Sequence, residues 1–221
     1  MSCICRAVTS LNILIVGILL AAGQSSRFAA TNSILGSQKL LAELPNRQGR
    51  RVVEASAANL LQAVGRVIAV THRNEKLMRV LDDCGCQVIV NERALDGMGA
   101  SIAAGVQASL EASPCVTGWI IALGDMPYVL PETITAVCQK LEEQNRQHHK
   151  HSIVIPTYQG KRGHPVGFGQ AYEGALRRLQ GDAGAKSIID AAAAENALNV
   201  LQLILNDPGV LADIDVASDM R

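Results

Sequence analysis

Asp125 stands in Gly124-Asp125-Met126-Pro127, directly after the apolar run Trp119–Leu123. A carboxylate at the carboxyl end of a buried central strand is badly placed as a structural group unless it caps a helix or holds a cation. One aspartate together with substrate phosphates is an ordinary way to hold Mg²⁺, which prefers oxygen ligands and keeps several waters. Pro127 fixes the chain as it turns away. Two further acids lie in Ala212-Asp213-Ile214-Asp215. At i and i+2 they point the same way if the segment is extended, and one of them could complete a metal site with Asp125. A turn or cap role is the alternative for Asp125, and an acidic tail for the later pair.

A second chemical signal lies upstream, over Ile13–Lys39. The dense run Ile13-Leu14-Ile15-Val16-Gly17-Ile18-Leu19-Leu20 breaks into Ala21-Ala22-Gly23-Gln24-Ser25-Ser26-Arg27 and later reaches Lys39. A buried strand emptying into a small, hydroxyl-rich turn with an arginine gathers backbone N–H groups and positive charge at one point, which is what a polyphosphate needs. The turn is not a P-loop, because Gly36-Ser37-Gln38-Lys39 lacks the adjacent Gly-Lys-Ser/Thr. Nor is it a dinucleotide fingerprint: Gly97-x-Gly99 lacks the third glycine and follows the third strand. An ordinary strand-to-helix turn is the competing reading.

The second half carries Gly163-His164-Pro165-Val166-Gly167-Phe168 and Gly181-Asp182-Ala183-Gly184-Ala185-Lys186. Gly163 and Gly167 permit close backbone approach to a ligand. A lone His164 is more often a satisfied structural histidine than a catalyst. Lys186 opening a helix opposes the helix dipole, a conflict that a bound anion would remove.

These residues need a frame. Asn12–Leu20 reads as the first strand, Arg51–Val64 as a helix ended by Gly65, Arg66–Val70 as a strand, Asn74–Asp83 as a helix and Gln87–Val90 as a strand. Ala100–Leu110 is helical, Trp119–Leu123 a fully apolar strand, and Pro131–Arg146 a helix with proline near its start. Ser152–Ile155 is a strand ended by Pro156; Gln170–Leu179 and Ala185–Ala194 are helices, and Leu198–Leu205 a late strand. Strands without alternation, separated by helices, predict a mostly parallel sheet covered on both faces, with ligands beyond the carboxyl ends of its strands. The tract Arg146-Gln147-His148-His149-Lys150-His151 reads as a solvated connection.

With 221 residues, 48% of them apolar, the chain suits one large α/β domain over its whole length, with residues 1–11 an extra or disordered segment. Twenty basic residues balance twenty acidic ones, which argues against a duplex-binding protein, and 3% aromatics argue against single-strand stacking platforms. Six scattered cysteines without a C-x-x-C read as reduced thiols of a cytoplasmic protein. Arg6 followed by Leu11 to Ala22 mimics a signal peptide, but the apolar run is too short to span a membrane, and a first core strand explains both the run and the loop after it.

Taken together, Leu20–Arg27, Lys39-Leu40-Leu41, Gly97-Met98-Gly99-Ala100-Ser101-Ile102, Gly124–Pro127, Gly163–Val166 and Gly181–Lys186 resemble the MobA-like nucleotidyltransferases, and within them the molybdenum cofactor cytidylyltransferases. The resemblance runs from about Ile13 to Asp219. It implies a Rossmann-like three-layer sandwich of the nucleotide-diphospho-sugar transferase type, and transfer of CMP from CTP to a molybdopterin-type acceptor with release of pyrophosphate. It further implies that Leu20, Ala21, Ala22, Gly23, Ser25 and Ser26 lie against the nucleotide, with Asn91, Gly97 and Ser101 toward base and ribose. Arg27 and Lys39 would neutralise the triphosphate. Asp125 and Asp215 would hold Mg²⁺, with Asp213 a rival to Asp215. His164, Asp182 and Lys186 would face the acceptor. A molybdoenzyme or its maturation factor is a further partner the resemblance admits. GMP transfer to the same cofactor is the near alternative, since Ala22 alone resembles the cytidylyl branch; NMP transfer to another phosphorylated small molecule is a third. The segment Phe28–Gln38 lacks the family's early glycine, which leaves room for a non-catalytic cofactor-binding or delivery protein.

Overall fold

The computed structural model describes residues 14–23, 38–45, 49–182, 184–215 and 219–220. Its strands are β1 (Ile15–Ala21), β2 (Val67–Thr71), β3 (Gln87–Val90), β4 (Gly118–Leu123), β5 (Ile153–Tyr158), β6 (Lys161–Arg162), β7 (Val166–Gly169) and β8 (Val200–Ile204). They form one sheet in the order β3-β2-β1-β4-β7-β5-β6, with β8 also pairing with β5. The helices are α1 (Gln38–Leu41), α2 (Val52–Val64), α3 (Glu75–Asp83), α4 (Met98–Ala112), α5 (Pro131–Arg146), α6 (Glu173–Arg177) and α7 (Lys186–Glu195). This is a mixed α/β fold around a mostly parallel sheet.

β1 shows why the early run has no polar alternation. Ile15, Leu19 and Ala21 belong to a core cluster shared with Leu60 of α2 and Leu141 of α5, whereas Val16 and Ile18 belong to another shared with Ile102 and Val106 of α4. Both faces are covered, so both sets of side chains are apolar. Each fully buried leucine or isoleucine contributes about 1.5–3 kcal/mol relative to exposure. On the α4 side, Trp119 Nε1 donates to Ser109 Oγ at 2.8 Å.

Local signals set the helix ends. Gly65 closes α2 in the left-handed conformation, its N–H bonded to the Leu61 carbonyl. Asn74 caps α3, its side chain accepting from the Leu77 N–H at 3.0 Å. Pro131 occupies the first turn of α5.

Three expectations are corrected. Pro156 does not end its strand; β5 continues to Tyr158, and Pro156 pairs in register with Leu203 of β8. Its carbonyl accepts from the Gly163 N–H at 2.9 Å, so the ring nitrogen, which donates nothing, faces that same turn side. Gly167, expected to admit close approach of a ligand, lies instead in strand β7, antiparallel between β4 and β5, against Val137 and Leu141 of α5. Gln170–Leu179 is not one helix: a 3₁₀ turn over Gln170–Tyr172 precedes the short α6.

Register decides where the site lies. Leu20 of β1 is level with Leu123 of β4 and with Val70 of β2, and Thr71 is level with Val90 of β3. Ala22, Asn91 and Gly124 therefore leave the sheet along one edge, the carboxyl edge of its parallel half. Among the described residues no helix is long and apolar enough to cross a membrane. Cys84, Cys86, Cys115 and Cys138 are free thiols, and burial pushes Cys86 and Cys138 up to about 12.

Candidate functional site

Lys39, Asp125 and Asp215 meet at that edge. Lys39 Nζ donates to Asp125 Oδ2 at 2.9 Å and to Asp215 Oδ1 at 3.3 Å. Lys39 is only 5% exposed, so the ammonium is held in a shielded place. It starts from α1, whose Leu40 is buried in the core, followed by buried Leu44. The backbone there is further tied by Leu44 N–H to the Arg50 carbonyl and Val52 N–H to the Ala42 carbonyl.

The loop bearing Asp125 is braced on several sides. The Gly124 N–H donates to the Leu20 carbonyl at 2.9 Å, which joins the ends of β1 and β4. From α2, Ser56 Oγ donates to the Gly124 carbonyl at 3.0 Å, and Asn59 Nδ2 donates to the carbonyls of Val129 at 2.8 Å and Pro127 at 3.2 Å. Beyond the loop, the buried Asp207 accepts from the Leu130 N–H at 3.0 Å. Sequence reasoning missed Ser56, Asn59 and Asp207. The available signal was a serine and an asparagine three positions apart, among the apolar residues of the helix face that α2 buries.

Asp215 is positioned through Asp125 itself. The Ile214 N–H donates to the Asp125 carbonyl at 2.9 Å, and the Ile214 side chain is fully buried. Asp215 N–H in turn donates to Asp219 Oδ2 at 2.8 Å. Asp213, on the other side of Ile214, is exposed, and Lys39 bonds Asp215.

A cavity of about 320 Å³ opens next to this cluster. Leu20 and Leu123, the residues just before Ala21 and Gly124, form part of its wall, and His164 and Lys186 line it with Arg162 and Met98. His164 N–H is bonded to the Val210 carbonyl at 3.0 Å, and Gly163 packs so closely on the Val210 backbone that no side chain would fit there. Burial holds the His164 imidazole below its ordinary pKa; the charge of Asp125, a backbone bond at Ile121 and the charge of Asp213 counteract part of this. Its Nδ1 is shielded from solvent and has no hydrogen-bond partner among the described residues. Lys186 is exposed at the start of α7, where no acid stands in the first turn.

The remaining expected residues form a third group. Asn91 Nδ2 donates to Ser101 Oγ at 3.1 Å, both residues buried, and Asn91 Oδ1 accepts from the Arg93 N–H at 3.0 Å. Gly97, at φ 102°, lies against Asp182 and the backbone of Gly181, and the Gly99 N–H donates to the Gly181 carbonyl at 2.9 Å. Two glycine motifs some eighty residues apart thus dock on each other, and a side chain at Gly97 would displace the Asp182 loop. Ala21 and Ala22 are buried and Gly23 is exposed at the end of β1. Ser25, Ser26 and Arg27, with the segment to Ser37, lie outside the described residues. A larger trough of about 560 Å³ lies outside the cluster, lined by Arg93, Gln107, Arg177 and Arg178 among others; Lys39, Asp125 and Asp215 are not in its wall.

Can the cluster hold a divalent cation? Among the described residues no group of three His, Cys, Asp or Glu converges as a ready ligand set. Asp125 and Asp215 converge on one point as a pair of hard oxygen donors. That suits Mg²⁺ or Mn²⁺ completed by water and phosphate oxygens, and does not suit a metal needing nitrogen or sulfur. The donor set fits.

A family model for the MobA-like NTP transferase domain matches residues 17–197. The chain belongs to that family. Membership makes it an NTP transferase of the MobA-like type, and the matched span carries the β1 turn, Lys39, the Asp125 loop, His164 and the Lys186 helix. No curated protein matches the sequence. Among solved structures it is similar to Rv0371c from Mycobacterium tuberculosis H37Rv, with 27% identity over 94% of this chain and 95% of that one and a TM-score of 0.71. The same protein in complex with manganese gives 25% identity, 93% and 95% coverage and a TM-score of 0.65. A nucleotidyl transferase from Methanothermobacter thermautotroptrophicus shares the fold at 23% identity, 93% and 94% coverage and a TM-score of 0.75. Molybdopterin-guanine dinucleotide biosynthesis protein A from Archaeoglobus fulgidus does so at 18% identity, 93% and 94% coverage and a TM-score of 0.55.

Proposed function

We propose that this protein transfers CMP from CTP to a molybdopterin-type acceptor and releases pyrophosphate. The observation that carries the reading is the Lys39–Asp125–Asp215 cluster at the carboxyl edge of β1 and β4, beside the Leu20–Gly23 turn. In the reaction an acceptor phosphate oxygen attacks the α-phosphorus. A new P–O bond forms, the bond to the bridging oxygen of the β-phosphate breaks, and pyrophosphate leaves with the electron pair. The attacking oxygen is already anionic, so no side chain must remove a proton. The demand is for alignment and charge neutralisation.

Each residue has a part in that demand. The Leu20–Gly23 turn receives the nucleotide, and Lys39, with Arg27 outside the described residues, neutralises its phosphates. Asp125 and Asp215 would hold a divalent cation. Such an ion, when bound, offsets phosphate charge and polarises the α-phosphoryl group. The manganese complex of Rv0371c supports a divalent cation in this fold. His164, whose neutral form burial favours, adds no charge of its own to the cavity wall it forms part of. Lys186 supplies positive charge at its rim. The Asn91–Ser101 pair and the Gly97–Asp182 contact shape the base side of the site.

A second reading has one observation in its favour. Much of the cavity wall is apolar, with Ile102, Ile121, Ile155, Val166 and Phe168. That favours an acceptor with a less polar body than a pterin, still carrying a terminal phosphate. A panel of CTP, GTP, ATP and UTP, each assayed for pyrophosphate with a molybdopterin-type acceptor and with other phosphorylated acceptors, separates the readings. CTP with the pterin acceptor is expected to give the highest rate. Turnover confined to another acceptor would establish the second reading.

A further inference from the structure

We propose that Lys39 makes the site selective for a metal–nucleotide complex over free metal, by serving as counter-cation to both carboxylates until a triphosphate draws it away. The inference rests on the metal-assisted reading above and goes beyond it in assigning the order of binding to one side chain.

Lys39 Nζ lies between the two acids, 2.9 Å from Asp125 Oδ2 and 3.3 Å from Asp215 Oδ1, on a residue that is 5% exposed. Two converging carboxylates repel each other, and the ammonium removes most of that repulsion. A bare divalent ion entering there meets a positive charge within a few ångströms, on a lysine side chain that is itself shielded although the Asp215 side chain is partly open to water. A triphosphate changes the balance, because its oxygens offer the ammonium a new partner.

What yields is the lysine head. The main chain at Asp125 is held by the Ile214 N–H, and its loop by Ser56 and Asn59. The main chain at Lys39 is held by its buried neighbour Leu40. The four-carbon lysine stem, with three rotatable donors, is the adaptable part. Metal and nucleotide therefore bind cooperatively, each tightening the other by the same factor.

The probe is Mn²⁺ titrated onto the full-length chain, followed by the resonance signal of the unbound ion, with and without α,β-methylene CTP. Wild type is expected to bind Mn²⁺ weakly alone and far more tightly with the analogue. Lys39→Met is expected to bind the ion alone at least about tenfold more tightly than wild type, within the usual range of coupling between sites, and to gain less from the analogue. Lys39→Gln makes the same comparison should Lys39→Met fail to fold, and Lys39→Arg, which keeps the charge, is expected to retain the wild-type pattern. Folded neutral variants that bind Mn²⁺ alone no more tightly than wild type would overturn the proposal. Absence of Mn²⁺ binding in every protein, even with the analogue, would instead remove the metal-assisted reading on which it rests.

Discussion

Lys39 and Asp125, 86 positions apart in sequence, are joined by a 2.9 Å ion pair whose lysine is almost wholly shielded from solvent. The pair links α1 to the end of β4. With Asp215 it gathers the charged groups of the site at the strand ends where a parallel sheet binds ligands. Partial shielding matters, since an exposed pair of the same length would contribute little.

Asp125→Ala is expected to abolish metal-dependent turnover, with a fall of at least about 10²–10³ in rate, the scale seen when one preorganised electrostatic group is removed. Asp215, whose side chain is more exposed than that of Asp125, is expected to matter less. Steady-state pyrophosphate release checks both, alongside a thermal melt showing that the variants fold. Unchanged activity in Asp125→Ala would rule out its metal assignment.

Asn59 supports the Asp125 loop with one amide donating to two carbonyls. Asn59→Ala leaves those carbonyls without their donor and is expected to cost about 1–3 kcal/mol of stability. It should also raise the metal concentration needed for half-maximal rate, because the loop that aims Asp125 loosens. Asn59→Asp is expected to be worse than Asn59→Ala, since carboxylate oxygens would face carbonyl oxygens. Urea unfolding and metal-dependent kinetics measure the two effects. An alanine variant with wild-type values in both would show that the amide does not brace the loop.

His164 carries a pH signature. Its pKa is lowered in the folded state, chiefly by burial. Below the ordinary histidine value of about 6.5 the unfolded chain binds a proton that the folded chain resists. Protons therefore favour unfolding, and the contribution of this residue to stability, present above that value, is lost as pH falls toward the lowered folded value. Urea unfolding between neutral pH and pH 5 should show a decline that is shallower in His164→Gln. Identical slopes in the two proteins would mean that the imidazole does not resist protonation in the fold.

Much of this architecture is legible in the sequence because burial on two faces writes itself as continuous apolar runs. β1 and β4 are such runs, and Gly65 marks the end of α2 by its left-handed backbone. β7 is not legible: Val166-Gly167-Phe168-Gly169 has two glycines that weaken strand propensity, yet Gly167 lies against Val137 and Leu141 of α5, where a larger residue would crowd. Pro156 misleads for the opposite reason, since it sits where the strand needs no donor on that side. At the site, local motifs point to Asp125, Asp215 and Lys39 one at a time. That Lys39 bridges both acids is a relation across 86 and 176 positions, which no local pattern encodes. Ser56, Asn59 and Asp207 escaped because their partners are backbone carbonyls and N–H groups that carry no residue-specific signature.

The central claim is nucleotidyl transfer at the Lys39–Asp125–Asp215 cluster, and the most direct measurement follows the α-phosphate of CTP. With α-labelled CTP, a divalent cation and a molybdopterin-type acceptor, the label is expected to appear covalently on the acceptor, one equivalent for each pyrophosphate released, and to remain on CTP when Asp125→Ala replaces wild type. Label left on intact CTP with wild-type protein, or released only as free CMP whether or not acceptor is present, would contradict the account.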